Sequence, residues 1–337
     1  MTDDWQEPGA HPVAPGIYRI PLPLPMDGLR AVNVYAVTAG SSVTMIDAGW
    51  AIEESRSQLE QSLKQIDAGL GDVDRFLVTH VHRDHYTQAV TLRREFGTRV
   101  SLGIDERPTL ERLNDTGVRE WVQAGQLRRY GATDVLDRLA GAPGWGEPAD
   151  PAEWEFPTDW LTDGQSVPVG ERSLRAVHTP GHTRGHLAFA DLADGLLFAG
   201  DHVLPHITPS IGFEASVADS PLADYLRSLA AVRAMPDLRL LPAHGPVAGS
   251  VHARVDELLA HHEDRLAASE AAVRAGAATP YEVARALGWT RRHRPFADLN
   301  PWNQMLAVCE TAAHLLVLAA QGRLRRTTVD GVDHFGP

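Results

Sequence analysis

The segment Thr79-His80-Val81-His82-Arg83-Asp84-His85 packs three histidines and an aspartate into seven residues. An apolar stretch, Phe76-Leu77-Val78, runs straight into it and reads as a strand. On a strand, side chains two apart leave the same face, so His80 and His82 can converge on one cation. Asp84 and His85 follow where a helix reading begins, and the turn between can re-aim them at a neighbouring point. Asp84 is expected as the helix N-cap. Arg83 is read as a spacer. Imidazole suits Zn, Fe, Ni and Cu, and the added carboxylate leans the site towards Zn, Fe or Mn. A solvated histidine-rich turn is the competing reading. Three histidines and an aspartate directly after an apolar strand favour the metal.

More donors stand at the ends of later strand-like stretches. "HTPGHTRGH" offers His178, His182 and His186, "FAGDHVLPH" offers Asp201, His202 and His206, and "LLPAHG" offers His244. No GxSxG signals a serine nucleophile.

Elements must bring these stretches to one edge. "GIYRIPLPL" and "AVNVYAVTAGSSVTMIDAG" read as strands, the second as a hairpin. "EESRSQLEQSLKQIDAG" reads as a helix that stops at Gly69. Strand signals return around "SLRAVHTPGH" and "LLFAGDHVL", again as a hairpin. Strand pairs interleaved with helices in two similar halves suggest a sheet-on-sheet sandwich with helices outside. After residue 250 three helical segments, one capped by Thr279-Pro280, precede a hairpin turning at Asp330-Gly331. That is the order of a winged helix.

HxHxDH, TPGHTxGH, GD after an apolar strand, and PAHG, in this order, resemble the metallo-β-lactamase superfamily. The resemblance covers roughly residues 15–250. It implies an α/β chain with an αββα sandwich and two metal ions on one edge. One ion would take His80, His82 and His182, and the other Asp84, His85 and His244. Asp201 would bridge them together with a hydroxide. Asp47, in "MIDAG", matches a supporting aspartate that hydrogen-bonds a ligand histidine, and His186 is expected in a similar or structural role. The implied cofactor is two Zn2+, with Fe or Mn possible. A metal lowers the pKa of bound water from about 15.7 towards about 7, so hydroxide becomes available at neutral pH. The implied reaction is hydrolysis of a thioester, ester, lactone or amide of a small acyl substrate. Asp84 would orient the hydroxide and relay its proton, and Tyr86, His202 and His206 are candidate oxyanion donors. Two related chemistries compete: a mononuclear-iron persulfide dioxygenase and a metal-dependent single-strand nuclease. His178 is expected only to pack at its turn. His261, His262 and His314 are expected on the surface or in a core.

Composition bounds the partners. The net charge of −13 disfavours a general nucleic-acid binder. No membrane-spanning run and no signal peptide are read, so the expected location is cytoplasmic. Cys309 is the single cysteine and is expected buried and inert. Residues 1–250 are expected as the catalytic domain, with 105–160 a cap in which Trp121, Trp145, Trp154 and Trp160 form a pocket lid or a small satellite core. Residues 251–337 form the tail, a packing or homodimerisation element that carries the basic clusters "RRHR" and "RLRR".

Overall fold

β-Branched and aromatic residues in the first part of the chain pair into one sheet. The computed structural model describes residues 4–25, 29–115, 121–141, 150–290 and 292–337. Strands β1 (His11–Ala14), β2 (Ile17–Pro23), β3 (Ala31–Ala39) and β4 (Ser42–Ile46) form an antiparallel meander. Helix α1 (Glu53–Lys64) leads to β5 (Val73–Leu77), and α2 (Arg83–Phe96) leads to β6 (Arg99–Gly103). Both strands add in parallel. Helix α1 ends before Gly69 because the chain leaves the helical region at Asp67, where φ is 55°.

Helices α3 (Arg107–Leu113), α4 (Val122–Arg129) and α5 (Thr133–Ala140) occupy the segment expected as the cap. Trp145 of the expected lid lies outside the described residues. The end of the expected cap belongs to the sheet instead: β7 (Asp159–Leu161) pairs with β6, so Trp160 sits opposite Leu102.

The second sheet follows with β8 (Ser166–Val169), β9 (Arg172–His178), β10 (Leu187–Asp191) and β11 (Leu196–Gly200). Helix α6 (Pro221–Arg233) then returns the chain to β12 (Arg239–Pro242), parallel to β11. The seven-stranded and five-stranded sheets face one another across Tyr35, Ile46, Leu77, Phe189 and Phe198, all buried. The outer face of the first sheet packs on α1 and α2 through Leu59, Leu63, Ala89 and Val90. The outer face of the second packs on α6 and on the tail. This is the αββα sandwich.

The tail comprises α7 (Val251–Arg274), α8 (Pro280–Ala286), α9 (Pro301–Ala320) and the hairpin β13 (Arg325–Val329) with β14 (Val332–Gly336). Thr279 caps α8 in a reciprocal capping box with Glu282, worth about 1 kcal/mol. Asp330 and Gly331 both take positive φ at the hairpin turn. Tail, cap and second sheet share one apolar core, which runs from Leu127 and Val135 through Leu229 to Val308 and Leu318. One sequence expectation needs correction here: α9 is long and apolar enough to cross a membrane. Its most apolar stretch is 67% buried within the protein, so α9 is the central helix of this core. The basic tail residues Arg323 and Arg326 pair with Glu270 and Asp333.

Candidate metal centre

Strand ends deliver the donors. Asp47 follows β4, His80 to His85 follow β5, His182 follows β9, Asp201 follows β11 and His244 follows β12. His80 and His82 lie beyond β5, in the loop to α2, so strand pleating is not what aligns them. Their alignment comes from the loop's anchors. The Thr79 N–H and hydroxyl both donate to Asp47, and the Leu187 N–H donates to the Thr79 carbonyl.

Three donor groups form. His80, His82 and His182 make the first, His80, His85 and Asp201 the second, and Asp84, His85 and His244 the third. In each, the donor atoms lie within 4.8 Å of one another. His82 Nδ1 is 3.1 Å from His80 Nε2 and 2.9 Å from His182 Nε2. His244 Nε2 is 3.4 Å from both Asp84 Oδ2 and Asp201 Oδ1. Asp201 spans the groups. Its Oδ1 faces His85 and His244 at 3.7 and 3.4 Å, and its Oδ2 faces His182 at 3.4 Å.

The far side of each ring explains which nitrogen is free. His85 Nδ1 meets Asp47 at 2.9 Å, His182 Nδ1 the Ser210 carbonyl at 2.8 Å and His244 Nδ1 the Ala31 carbonyl at 2.8 Å. His80 Nδ1 meets the Thr79 hydroxyl at 3.0 Å. A carbonyl or carboxylate accepts only from N–H, so on the first three rings Nδ1 carries the proton and Nε2 keeps its lone pair. Asp47 reaches its place with φ at 60°, a conformation tolerated by Asp and held here by the Thr79 N–H, the Thr79 hydroxyl and His85. His186 acts one step back: its Nε2 accepts from the Asp201 N–H at 3.1 Å and its Nδ1 faces Thr179. Gly200 must stay a glycine, because a Cβ there would sit 2.6 Å from His186 Nε2 and 2.8 Å from Thr79.

The electrostatics suit a cation. Burial, then neighbouring imidazoles, push His80 well below its ordinary value, and His82 falls to about 3. Burial acts the same way on His85, but Asp84, Asp47 and Asp201 outweigh it and lift His85 to about 10. Asp84 and Asp201 are held low against burial by the surrounding imidazoles. Buried carboxylates that draw a proton onto His85 would equally draw a metal ion. The decisive observation is a set of orphaned atoms. His85 Nε2, His244 Nε2 and Asp201 Oδ1 are buried with no hydrogen-bond partner, and all three converge on one point. A metal ion fits them.

Residues 27–244 match the sequence profile of the metallo-beta-lactamase superfamily. The chain belongs to that superfamily. A metallo-beta-lactamase family protein from Thermus thermophilus superimposes with a TM-score of 0.78 at 27% identity, covering 96% of this chain and 99% of its own. A beta-lactamase-like protein 2 homolog of Drosophila melanogaster is 25% identical over 249 residues, 70% of this chain. The match spans 66% of the fly protein, just under two thirds. An atrochrysone carboxyl ACP thioesterase of Aspergillus fumigatus is 29% identical over 249 residues, covering 72% of this chain and 45% of its own length.

Within this superfamily member, several sequence candidates stand outside the donor groups. The Tyr86 hydroxyl donates to the Glu155 carbonyl and its ring stacks on Trp154. It is fully buried there, so it is unavailable as an oxyanion donor. His202 is fully buried, its ring edge-on to Tyr225 at 5.3 Å. His206 is exposed. His178 bonds the Arg184 carbonyl at 3.0 Å. Asp84 is not a cap: His82 takes the N-cap position, and Asp84, in the first turn of α2, turns its carboxylate to His244. Arg83 does more than space its neighbours. Its guanidinium lies over Trp50 at 5.3 Å and Trp154 at 5.8 Å.

Sequence reasoning missed a buried acid pair behind the His182 loop. Glu106 accepts from the Thr183 hydroxyl and, at 3.4 Å, the Val81 N–H. Glu214 accepts from the Arg184 N–H at 3.0 Å. Burial, then Glu214, raises Glu106 to about 8, and burial raises Glu214 to about 7. The pair grips the backbone beside His80, His82 and His182. No local motif announces either residue.

Proposed function

We propose that this protein is a dinuclear zinc hydrolase that cleaves a small acyl thioester, ester or lactone. The observation that carries this reading is Asp201, whose two oxygens face different donor groups. His80, His82 and His182 would hold one ion, and Asp84, His85 and His244 the other. Two ions held there would supply Lewis acidity towards the substrate carbonyl and a lowered pKa for the attacking water.

The chain's own residues do the rest. Nδ1 contacts hold four rings with Nε2 presented to the centre, so no reorganisation is needed when charge develops. Asp84 is 18% exposed while His85 is fully buried, so of this pair the aspartate is open to substrate. Its carboxylate takes the proton of the attacking water and returns it to the leaving group. The water oxygen ends on the acyl carbon, the acyl–sulfur or acyl–oxygen bond breaks, and the leaving group departs protonated. The thioesterase relative supports an acyl substrate. The buried Cys309 offers no competing nucleophile, since burial raises its thiol to about 12.

The test is a panel of acyl thioesters, esters, lactones, β-lactams and phosphodiesters presented to zinc-loaded protein. Hydrolysis of an acyl substrate that chelation abolishes and zinc restores supports the reading. Turnover of phosphodiesters alone, or acyl hydrolysis indifferent to chelation, overturns it.

A further inference from the structure

Three aromatic rings adjoin one another beside the donor His82. The Phe213 ring lies 6.1 Å from the ring of the donor His82. Trp302 lies 5.3 Å from Phe213, edge to face, and Trp121 lies 6.0 Å from each of them. The three rings come from three places: the loop after Asp201, the start of cap helix α4, and the first turn of tail helix α9. Neither Phe213 nor Trp121 is fully buried, and Trp302 is 41% exposed.

The wall is built rather than incidental. The Ser210 carbonyl accepts from the donor His182, which ties the Phe213 loop to the centre. Gln126 and Gln123 of α4 donate to the carbonyls of Gly212 and Glu214 and hold the loop on either side of Phe213. Gly212 in turn rests on the Cys309 backbone of α9; a Cβ there would stand 3.5 Å from that carbonyl. Cap and tail thus fix one apolar ring beside a donor histidine and extend it outward with two more. Three aromatic rings together remove an apolar chain from water.

We propose that Phe213, Trp121 and Trp302 form the acyl-group subsite of this centre, selecting substrates whose acyl group is an apolar chain extending several carbons past the carbonyl. This rests on the hydrolase reading above and adds the substrate class to it. It also gives the tail a role at the site, through Trp302.

Full-length, zinc-loaded wild type, Trp302→Ala, Trp302→Phe and Phe213→Ala would be compared on p-nitrophenyl acetate and p-nitrophenyl octanoate. Each methylene that leaves water is worth roughly fourfold, so wild type should favour octanoate over acetate by about tenfold or more in kcat/KM. In Trp302→Ala and Phe213→Ala that preference should fall at least about tenfold, carried by KM, with zinc content retained. Trp302→Phe should recover part of it. A flat chain-length profile in wild type overturns the subsite, and so does an unchanged preference in both alanine variants. Tryptophan fluorescence on titration with octanoic acid separates the two readings. If neither ester turns over but octanoic acid binds wild type and not Trp302→Ala, the subsite stands, and the hydrolase reading is decided by the thioester and lactone panel. If octanoic acid does not bind wild type, the subsite fails whatever the esterase activity.

Discussion

Two groups of buried histidines exist in this protein, and only one is built for a metal. At the sheet edge, the rings of His80, His82, His85, His182 and His244 surround the carboxylates of Asp84 and Asp201. In the tail core, His262 and His314 stack with ring centroids 5.3 Å apart, and His262 Nδ1 lies 3.1 Å from His314 Nε2. His314 Nδ1 bonds the Glu310 carbonyl one turn back. No third donor converges there among the described residues. Burial, then the paired ring, drives His262 to about 2, and burial drives His314 to about 3. At the sheet edge the same burial meets carboxylates, and His85 rises instead. Burying imidazoles makes a neutral core pair. Burying them around carboxylates, four of the five rings oriented from behind, makes a cation site.

The contrast breaks hardest at Asp201. Removing its carboxylate as Asp201→Ala should empty both halves of the centre, because each loses a negative donor. Activity should fall by more than the roughly 100-fold at the top of the range for supporting residues, and zinc per chain measured by mass spectrometry should drop towards zero from the two that the proposed centre would hold. Zinc content at the wild-type level would show that the bridging role is wrong.

Asp47 tests the support from behind. Asp47→Ala leaves the His85 ring without its acceptor and frees the backbone at Thr79. Metal affinity or kcat should fall about 10- to 100-fold. Asp47→Asn keeps an acceptor oxygen and should fall less. Equal losses in the two variants would mean that charge, not ring orientation, is what Asp47 supplies.

The candidate donors were legible because type and spacing are local: HxHxDH, TPGH, GD and PAHG each fit within a few residues. The sandwich was legible for the same reason, since alternation and turn residues mark strands one at a time. Asp47 was legible only through family resemblance. What could not be read depends on contacts between distant segments. Phe213 meets His82 and Trp302 only once the sheets have closed. Glu106 and Glu214 grip a loop that lies far from either in sequence. Tyr86 was misread because its neighbour His85 faces the centre, while one residue along a helix turns the side chain about 100° away. His80 and His82 converge as expected but for a different reason, because the strand ends at Leu77 and Thr79 takes over their alignment.

The tail pair gives a prediction in pH. His262 and His314 are neutral in the folded protein down to about pH 3, but in the unfolded chain they take protons below about 6.5. Their folded pKa values are depressed, so their contribution is fully present above pH 6.5 and is lost as pH falls towards 3. Each costs up to about 1.4 kcal/mol per pH unit within that window. His262→Leu/His314→Leu should therefore lose stability less steeply than wild type between pH 6.5 and 4.5, followed by urea unfolding. Parallel slopes would mean that the pair is already protonated when folded.

The smallest expected effect belongs to a histidine of neither group. His178 sits in the same HTPGHTRGH stretch as the donor His182, yet it is expected only to pack at the turn. Its ring is half-buried and its hydrogen bond goes to the Arg184 carbonyl. That bond braces the turn that carries His182, and one neutral hydrogen bond contributes about 1 kcal/mol. His178→Ala should lower stability by about that much, with zinc content at the wild-type level. A loss of metal would draw the boundary of the centre further out. It would mean that the turn must be braced at its base before His182 can present Nε2 to the ion.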